Sequence, residues 1–234
     1  MAELSDSRFD SPSDASAGSG DERSLPLRLG ETAALVGEYR WIENALYRRL
    51  GAWVHDTAVA AVQVHLDAQS MRHSWHAELW AERLPVMTGA DPDGLTVPAP
   101  ATAALFAALS GDPPVATGAG STWPPADQVI ERPAALPRLA GLYRVVLPRL
   151  VVTYQRHLRV VSAITDGPVA RTLRLILNDE IEDWQAGERL VQRLVTRPHD
   201  VAAVHHFLQG LESAVVGAGA RSGLVSLPPS VPEE

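Results

Sequence analysis

Four long segments of this chain repeat apolar residues every three or four positions, the periodicity of a helix with one buried face. They cover residues 31–54, 57–84, 137–165 and 169–196. Each is about twice the average helix length of about 11–12 residues. Short turns near Asp56 and at Asp166–Pro168 join them in pairs, so we expect two antiparallel hairpins. The sequence therefore predicts an all-α bundle of four long helices.

The two hairpins are separated by residues 85–136, which are rich in proline, glycine and small side chains. Turn signals recur there, and one short helix is predicted over 101–109. A connection this long lets the chain cross from one end of a bundle to the other, which predicts an up-down-down-up order of helices. Within the third helix, Pro148 predicts a bend.

The ends of the chain differ in character from the bundle. Residues 1–28 are predicted to be a disordered tail, because they carry few large apolar side chains. A helical domain is expected over 29–217, including a fifth helix that follows Pro198 and ends near Val216. Residues 218–234 are expected to be a flexible tail. The short apolar run 223–227 within it is either incidental or a docking peptide for a partner.

Composition excludes several kinds of chemistry. The 234 residues contain no cysteine, and all 20 basic residues are arginine, so thiolate sites and lysine chemistry are excluded. The arginine bias indicates a GC-rich, bacterial genome. A net charge of −8 argues against nucleic-acid binding. Neither an apolar run long enough for a membrane span nor a secretory signal is visible, so we expect a cytoplasmic protein.

Polar residues suited to metal binding interrupt the apolar faces of the helices. His73 and His76 lie three residues apart on the second helix, and Glu180 and Asp183 lie three apart on the fourth. Residues three apart share one face of a helix, so each pair can point at one spot. Two such pairs facing each other would form either a metal site or a buried layer of hydrogen-bonded polar groups.

These motifs resemble those of ferritin-like di-iron carboxylate proteins of the rubrerythrin type. The stretch His73-Ser-Trp-His76-Ala-Glu-Leu is similar to the family's second-helix Glu-x-x-His motif. The stretch 176–183 is similar to its fourth-helix motif. By this resemblance His76 matches a histidine ligand, Glu180 matches a glutamate ligand, and Glu38 or Glu43 matches the first-helix glutamate. The resemblance implies a ferritin-like bundle, an iron cofactor and oxygen chemistry.

The sequence also departs from the family's ligand set. His73 stands where the family has glutamate, and Asp183 stands where it has histidine. The third helix has no acidic residue, because none occurs between Glu131 and Asp166; Tyr154 and His157 are its nearest polar substitutes. A di-iron centre of this type uses four carboxylates and two histidines. One iron, zinc or manganese ion suits the available residues better.

Three hypotheses for the polar residues therefore stay open: a metal-free polar layer, a site for one metal ion, and a divergent site for two. Two functions follow. The first is a binding or assembly protein on a ferritin-like scaffold that has lost its di-iron chemistry. The second is a metal-dependent oxidoreductase of the non-haem iron class, with Asp183 as a ligand or proton acceptor and no catalytic residue assigned. We expect a homo-oligomer or a protein partner. Trp41 and Trp75 lie off the main apolar faces and indicate an extra contact surface, formed either by a dimer or by the crossover folding back.

Overall fold

The computed structural model describes residues 27–86, 91–110, 135–162, 164–220 and 223–225. All regular structure within these ranges is helical, which confirms the all-α prediction for them. None of the helices there combines the length and apolar character needed to cross a membrane. Most of the predicted N-terminal tail and parts of the predicted crossover and C-terminal tail lie outside the described residues.

The helices follow the order of the predicted segments, with ends shifted by a few residues. They are α1 (Leu29–Trp53), α2 (Ala60–Ala81), α3 (Pro92–Leu95), α4 (Pro100–Ser110), α5 (Ala135–Gly141), α6 (Leu147–Val160), α7 (Gly167–Leu194) and α8 (Pro198–Gly217). A 3-10 turn follows α1, and a π-helical segment, Leu142–Val146, connects α5 to α6.

Helices α1 and α2 form the first hairpin. The hydroxyl of Ser70 donates to the backbone carbonyl of Tyr47 at 2.8 Å, and the rings of Tyr39 and Trp80 lie 5.1 Å apart between centroids. Lower numbers on α1 therefore meet higher numbers on α2, so the two helices run antiparallel, as the short turn between them predicts.

Helix α7 runs antiparallel to α2. Arg72 pairs with Asp183, and four residues further along α2 the ring of His76 meets Asp179. The numbering rises on one helix as it falls on the other. Because α1 is antiparallel to α2 as well, α1 and α7 point the same way along the bundle.

The third long segment, α5 to α6, runs parallel to α2. The hydroxyl of Tyr143 donates to Gln69 at 2.7 Å, and further along both helices the rings of Tyr154 and Trp80 lie 5.8 Å apart. Numbers rise together along this pair. The connection from Ala81 to Ala135 therefore returns the chain to the end of the bundle where α2 began.

The sequence predicts a bend at Pro148, and the structure has a π-helical segment, Leu142–Val146, shortly before this residue. Pro148 occupies the first turn of α6 and has no backbone N–H to donate to the preceding turn. A π segment changes the hydrogen-bonding partner of the backbone at this point. The carbonyls before the proline are thereby accommodated without ending the helix.

A close approach between helices fixes the position of Tyr143. A Cβ added at Gly187 on α7 would lie 2.0 Å from Cε1 of the Tyr143 ring, so the ring occupies the space that any other residue at this position would need. Glycine at 187 therefore lets α7 pack directly against the π segment that carries Tyr143.

Residues 223–225, which lie within the predicted C-terminal tail, pack on the bundle. Leu224 and Val225 are buried, at 1% and 3% exposure. The backbone N–H of Leu224 donates to the Thr153 hydroxyl at 2.8 Å, and Arg149 donates to the carbonyl of Gly223 at 2.9 Å. The described part of the apolar run is thus neither incidental nor free for a partner, because it packs on the bundle of its own chain.

Candidate metal centre

Four ionisable side chains converge in the middle of the bundle. Glu43 comes from α1, His73 and His76 from α2, and Glu180 from α7. Each offers one ligand atom, and these atoms all lie within 4.8 Å of one another. All four residues have 0% relative exposure. We call this set the quartet.

Three distances within the quartet are close to those between neighbouring ligands of a four-coordinate ion. Nδ1 of His73 and Nδ1 of His76 each lie 3.3 Å from Oε1 of Glu180, and Nδ1 of His76 lies 3.5 Å from Oε2 of Glu43. Ligand bonds of about 2.0–2.1 Å in a tetrahedron put neighbouring ligand atoms about 3.3–3.4 Å apart. Three of the six distances among the four ligand atoms are therefore close to the edges of such a tetrahedron, and the whole set lies within 4.8 Å.

A fourth contact is a hydrogen bond. Nδ1 of His73 lies 2.6 Å from Oε2 of Glu43, slightly shorter than the usual charge-assisted bond between imidazole and carboxylate of about 2.7–2.9 Å. An ion bound by both groups would replace the shared proton. It would also increase the distance between these two atoms by several tenths of an ångström.

Several quartet atoms lack a hydrogen bond. Both carboxylate oxygens of Glu180 and Nδ1 of His76 are buried without a partner in bonding geometry, although they lie near one another. A buried ionised carboxylate that accepts no hydrogen bond is costly, because it has lost its water and gained nothing directed in return. A cation between Glu180 and His76 would satisfy these atoms.

Two neighbours orient the quartet. Nε2 of His76 lies 3.1 Å from Oδ2 of Asp179, so a ring that uses Nδ1 toward the quartet can donate its Nε2 proton to this carboxylate. The hydroxyl of Tyr154 on α6 donates to Oε1 of Glu43 at 2.5 Å. Carboxylate and hydroxyl partners of this kind fix the tautomer and direction of metal ligands.

Opposite charges dominate the electrostatics of the quartet. Burial alone would raise the pKa of Glu43, but His73 and His76 outweigh it and lower that pKa to about 2. Burial would lower the pKa of His76, yet Glu180 and Glu43 raise it to about 11. The pKa of His73 is raised by the same two carboxylates against the effect of burial. Without a metal, these interactions favour the charged forms of Glu43, His73 and His76.

Asp183, one of the predicted candidates, lies outside the quartet. Its Oδ1 is 2.5 Å from a guanidinium nitrogen of Arg72. Burial raises the pKa of Asp183 to about 6, with Arg72 opposing the rise. Since Asp183 sits one helical turn from Glu180, it remains next to the ligands but is held by arginine.

Glu38, the other first-helix candidate, points toward α4. Its Oε1 accepts hydrogen bonds from the hydroxyl of Thr102 at 2.5 Å and from the backbone N–H of Ala99 at 3.0 Å. Burial raises the pKa of this carboxyl. Glu38 thus binds the first turn of α4, and Glu43 is the first-helix carboxylate of the quartet.

Of the two polar residues predicted as third-helix substitutes, only Tyr154 contacts the quartet. Tyr154 contacts the quartet through Glu43, whereas Nδ1 of His157 lies 3.1 Å from the hydroxyl of Tyr39. Burial lowers the pKa of His157 to about 4, so this ring is neutral.

Asp179 was not among the candidates, although it adjoins Glu180 in the sequence. Neighbours on a helix point about 100° apart, so the helical wheel separates the two carboxylates. A chemical argument identifies Asp179 instead. A buried histidine that directs one ring nitrogen at a cluster needs a hydrogen-bond acceptor for the proton on its other ring nitrogen.

Comparisons with known proteins identify no relative: no family model, curated protein or solved structure matched this chain. The chemistry of the quartet and its surroundings is therefore the basis for assigning a function.

Proposed function

We propose that this chain is a ferritin-like helical bundle that binds one divalent metal ion through Glu43, His73, His76 and Glu180, and that the ion stabilises a scaffold with a binding or assembly role. The observation that carries the proposal is the convergence of four buried ligand atoms within 4.8 Å. Two imidazoles with two carboxylates suit zinc, iron(II) or manganese, and the thiolates preferred by softer ions are absent from the sequence.

The directions of the helices support the ferritin-like part of the proposal. Helices α1 and α7 point one way, and α2 and the α5–α6 segment point the other, as the contacts between them require. An up-down-down-up order with one long crossover is the arrangement of ferritin-like bundles. The ligands in such bundles project inward from facing helices, as the quartet does.

The composition of the site favours one ion over two. A dinuclear carboxylate centre uses four glutamates and two histidines, whereas the quartet has two of each. The helix that would bring a bridging carboxylate instead brings Tyr154, a neutral donor to Glu43. Two adjacent divalent ions would be left with too little negative charge.

The closed ligand set favours a structural role over catalysis. Structural zinc sites take all four ligands from protein, whereas catalytic sites keep one position for water or substrate. The quartet supplies four ligands, and all of them are fully buried. Because they come from α1, α2 and α7, a bound ion would cross-link three of the long helices.

A metal-dependent oxidoreductase remains the second candidate, and one observation favours it. Tyr154, which donates to Glu43, packs against Tyr39 and Trp80 with ring centroids 4.9 and 5.8 Å away. Iron bound in the quartet would supply electrons to oxygen, and these aromatic side chains are oxidisable. Oxygen consumption by the iron-loaded protein, compared with the zinc-loaded protein, tests this alternative.

Metal content tests the main proposal. The protein should be produced in medium supplemented with iron, zinc and manganese, purified without a chelator or a metal-affinity tag, and analysed by elemental mass spectrometry. The matched variants are Glu180→Gln and Glu38→Gln. Both replace a buried glutamate by its neutral isostere, but only Glu180 belongs to the quartet.

We expect about one metal ion per chain in the wild type and in Glu38→Gln, and almost none in Glu180→Gln. The metal should also raise the melting temperature of the wild type and leave that of Glu180→Gln unchanged. A folded wild type that retains no metal, and whose melting temperature no divalent ion raises, would refute the proposal. The quartet would then be a layer of ion pairs that stabilises the core without metal.

A further inference from the structure

The outward face of α2 is apolar, although nothing in the described part of the chain covers it. Val64 is 71% exposed, Met71 62% and Trp75 46%. Ala68 between them is exposed as well. A helix that packs on one side of a bundle normally presents polar residues to water on the other. We call these four residues the outer stripe.

The outer stripe is separate from the face that carries the metal ligands. Val64 and His73 are nine positions apart, which at about 100° per residue places them on opposite sides of the helix. The stripe therefore lies on the side of α2 away from the quartet; its one ring contact there within the described residues is between Trp75 and His76, whose centroids lie 5.9 Å apart.

The spacing of the outer stripe is that of a two-stranded coiled coil. Its members follow one another at intervals of four, three and four residues, as successive d, a, d and a positions of heptads do. Methionine and tryptophan are also enriched at the centres of protein interfaces. This pattern predicts a second helix lying along α2.

The charged residues beside the stripe specify which helix this is. Asp67 is exposed on one flank, and Arg72 is half-buried on the other. In a parallel pair of identical helices, a residue at g faces the partner's residue five positions later, at e. Asp67 would then face the partner's Arg72, and the symmetry would repeat this ion pair. Antiparallel pairing brings equivalent flanks together and gives no such pair.

Arg72 can serve both contacts. One of its terminal nitrogens bonds to Asp183, and its side chain keeps 33% exposure. A guanidinium has five N–H donors in a fixed fork, so one edge can bind Asp183 and another the partner's Asp67.

We propose that α2 pairs in parallel with α2 of a second copy of this chain, through Val64, Ala68, Met71 and Trp75, with Asp67 of each chain bound to the partner's Arg72. The two-fold axis lies alongside the helices, so each stripe residue meets its own counterpart. The protein is thereby a homodimer whose quartets lie on the sides of the α2 helices that face away from the interface.

A single cysteine tests the register. Because the chain has no cysteine, Ala68→Cys introduces one reactive thiol, and the parallel register places it against the partner's Cys at the same position. We expect a disulfide-linked dimer on mild oxidation at micromolar protein. The control, Val216→Cys, is on α8 at a residue 58% exposed and outside the stripe. Failure of Ala68→Cys to cross-link faster than this control would overturn the parallel pairing.

Sedimentation equilibrium of the full chain tests the association itself. We expect a dimer in the wild type and in Val216→Glu, and a dissociation constant at least about tenfold higher in Met71→Glu. Asp67→Arg should weaken the dimer through the lost ion pair. Circular dichroism and metal content, which should not change, show that the variants remain folded and that this result is independent of the metal. A monomeric wild type, or a dimer unaffected by Met71→Glu, would overturn the proposal.

Discussion

The hydroxyl of Tyr154 donates a hydrogen bond to Oε1 of Glu43 at 2.5 Å, in the absence of any acidic residue on α5 or α6. This contact is how the third long segment reaches the quartet. It stabilises the charged form of Glu43 and directs its second oxygen, Oε2, at both histidines. A neutral donor thus occupies the place where a ligand from this segment would stand.

Removing that hydroxyl should weaken the metal site without removing a ligand. For Tyr154→Phe we expect about a 10–100-fold loss of metal affinity, because Glu43 is no longer oriented. In the presence of a chelator we also expect a loss of about 1–3 kcal/mol of unfolding free energy, for the unpaired carboxylate oxygen. Competition with a fluorescent chelator and urea denaturation give the two values.

The control for this variant is Tyr39→Phe. Its hydroxyl bonds to His157 and not to a quartet residue. Stability should fall in Tyr39→Phe, but metal affinity should stay close to the wild type. Equal losses of affinity in both variants would show that the effect is a general loosening of the core.

Metal binding should release between about one and two protons per ion near neutral pH, because coordinating imidazoles must be neutral. The pKa of His76 is raised to about 11, so its ring carries a proton before the metal binds. The pKa of His73 is raised as well, which favours its charged form. Protons compete with the metal, so affinity should rise with pH. Titration calorimetry in buffers of different ionisation enthalpy measures the number released. Heat that is independent of the buffer would contradict this charge assignment.

Glycine 187 should be hard to replace. Alanine at this position would meet the ring of Tyr143 at 2.0–2.3 Å, and a rigid ring between helices cannot move aside cheaply. We expect Gly187→Ala to cost about 1–3 kcal/mol of unfolding free energy. The matched variant is Gly210→Ala on α8, where a Cβ meets nothing within 4 Å. It should gain about 0.5–1 kcal/mol from the higher helix propensity of alanine. Urea denaturation of both variants measures the difference.

His157 should make the protein less stable in mild acid. Burial lowers its pKa from 6.5 to about 4, so the folded state disfavours the charged ring. The stability due to the neutral ring is fully present above pH 6.5. It falls as the pH is lowered from 6.5 to about 4, where the loss is complete and amounts to about 3 kcal/mol of unfolding free energy. Denaturation midpoints measured with a chelator across this range should fall less steeply in His157→Gln than in the wild type. His205→Gln, which changes an exposed ring on α8, should keep the wild-type slope.

The local part of the site could be predicted from the sequence. His73 and His76 share a face because they are three residues apart, and Glu180 lies in the middle of an apolar stripe, so all three must point inward. Helical periodicity could not predict which of Glu38 and Glu43 joins the quartet. That choice depends on Thr102 and on the backbone of Ala99, which bind Glu38 from a helix about sixty residues further along the chain.

The remaining differences also arise from long-range contacts. Asp183 satisfies the same helical spacing as a ligand, yet Arg72 on the facing helix binds it. The C-terminal tail is predicted to be flexible because its glycines and prolines disfavour a helix. The backbone N–H of Leu224 nevertheless donates a hydrogen bond to the hydroxyl of Thr153 in the third long segment. Periodicity describes one helix at a time, so it misses pairings that require two elements to be docked.

The positions of the ligands along the chain have a kinetic consequence. Glu43, His73 and His76 lie within one hairpin, and local contacts form before distant ones because they close shorter loops. During folding this hairpin can meet an ion before α7 arrives, and Glu180 completes the set when α7 docks. In the folded protein, Glu180 would leave an ion in the proposed site only when α7 moves away from α2. Release of that ion would be limited by the movement of a whole helix, so we expect a bound metal to exchange slowly even where its equilibrium affinity is modest.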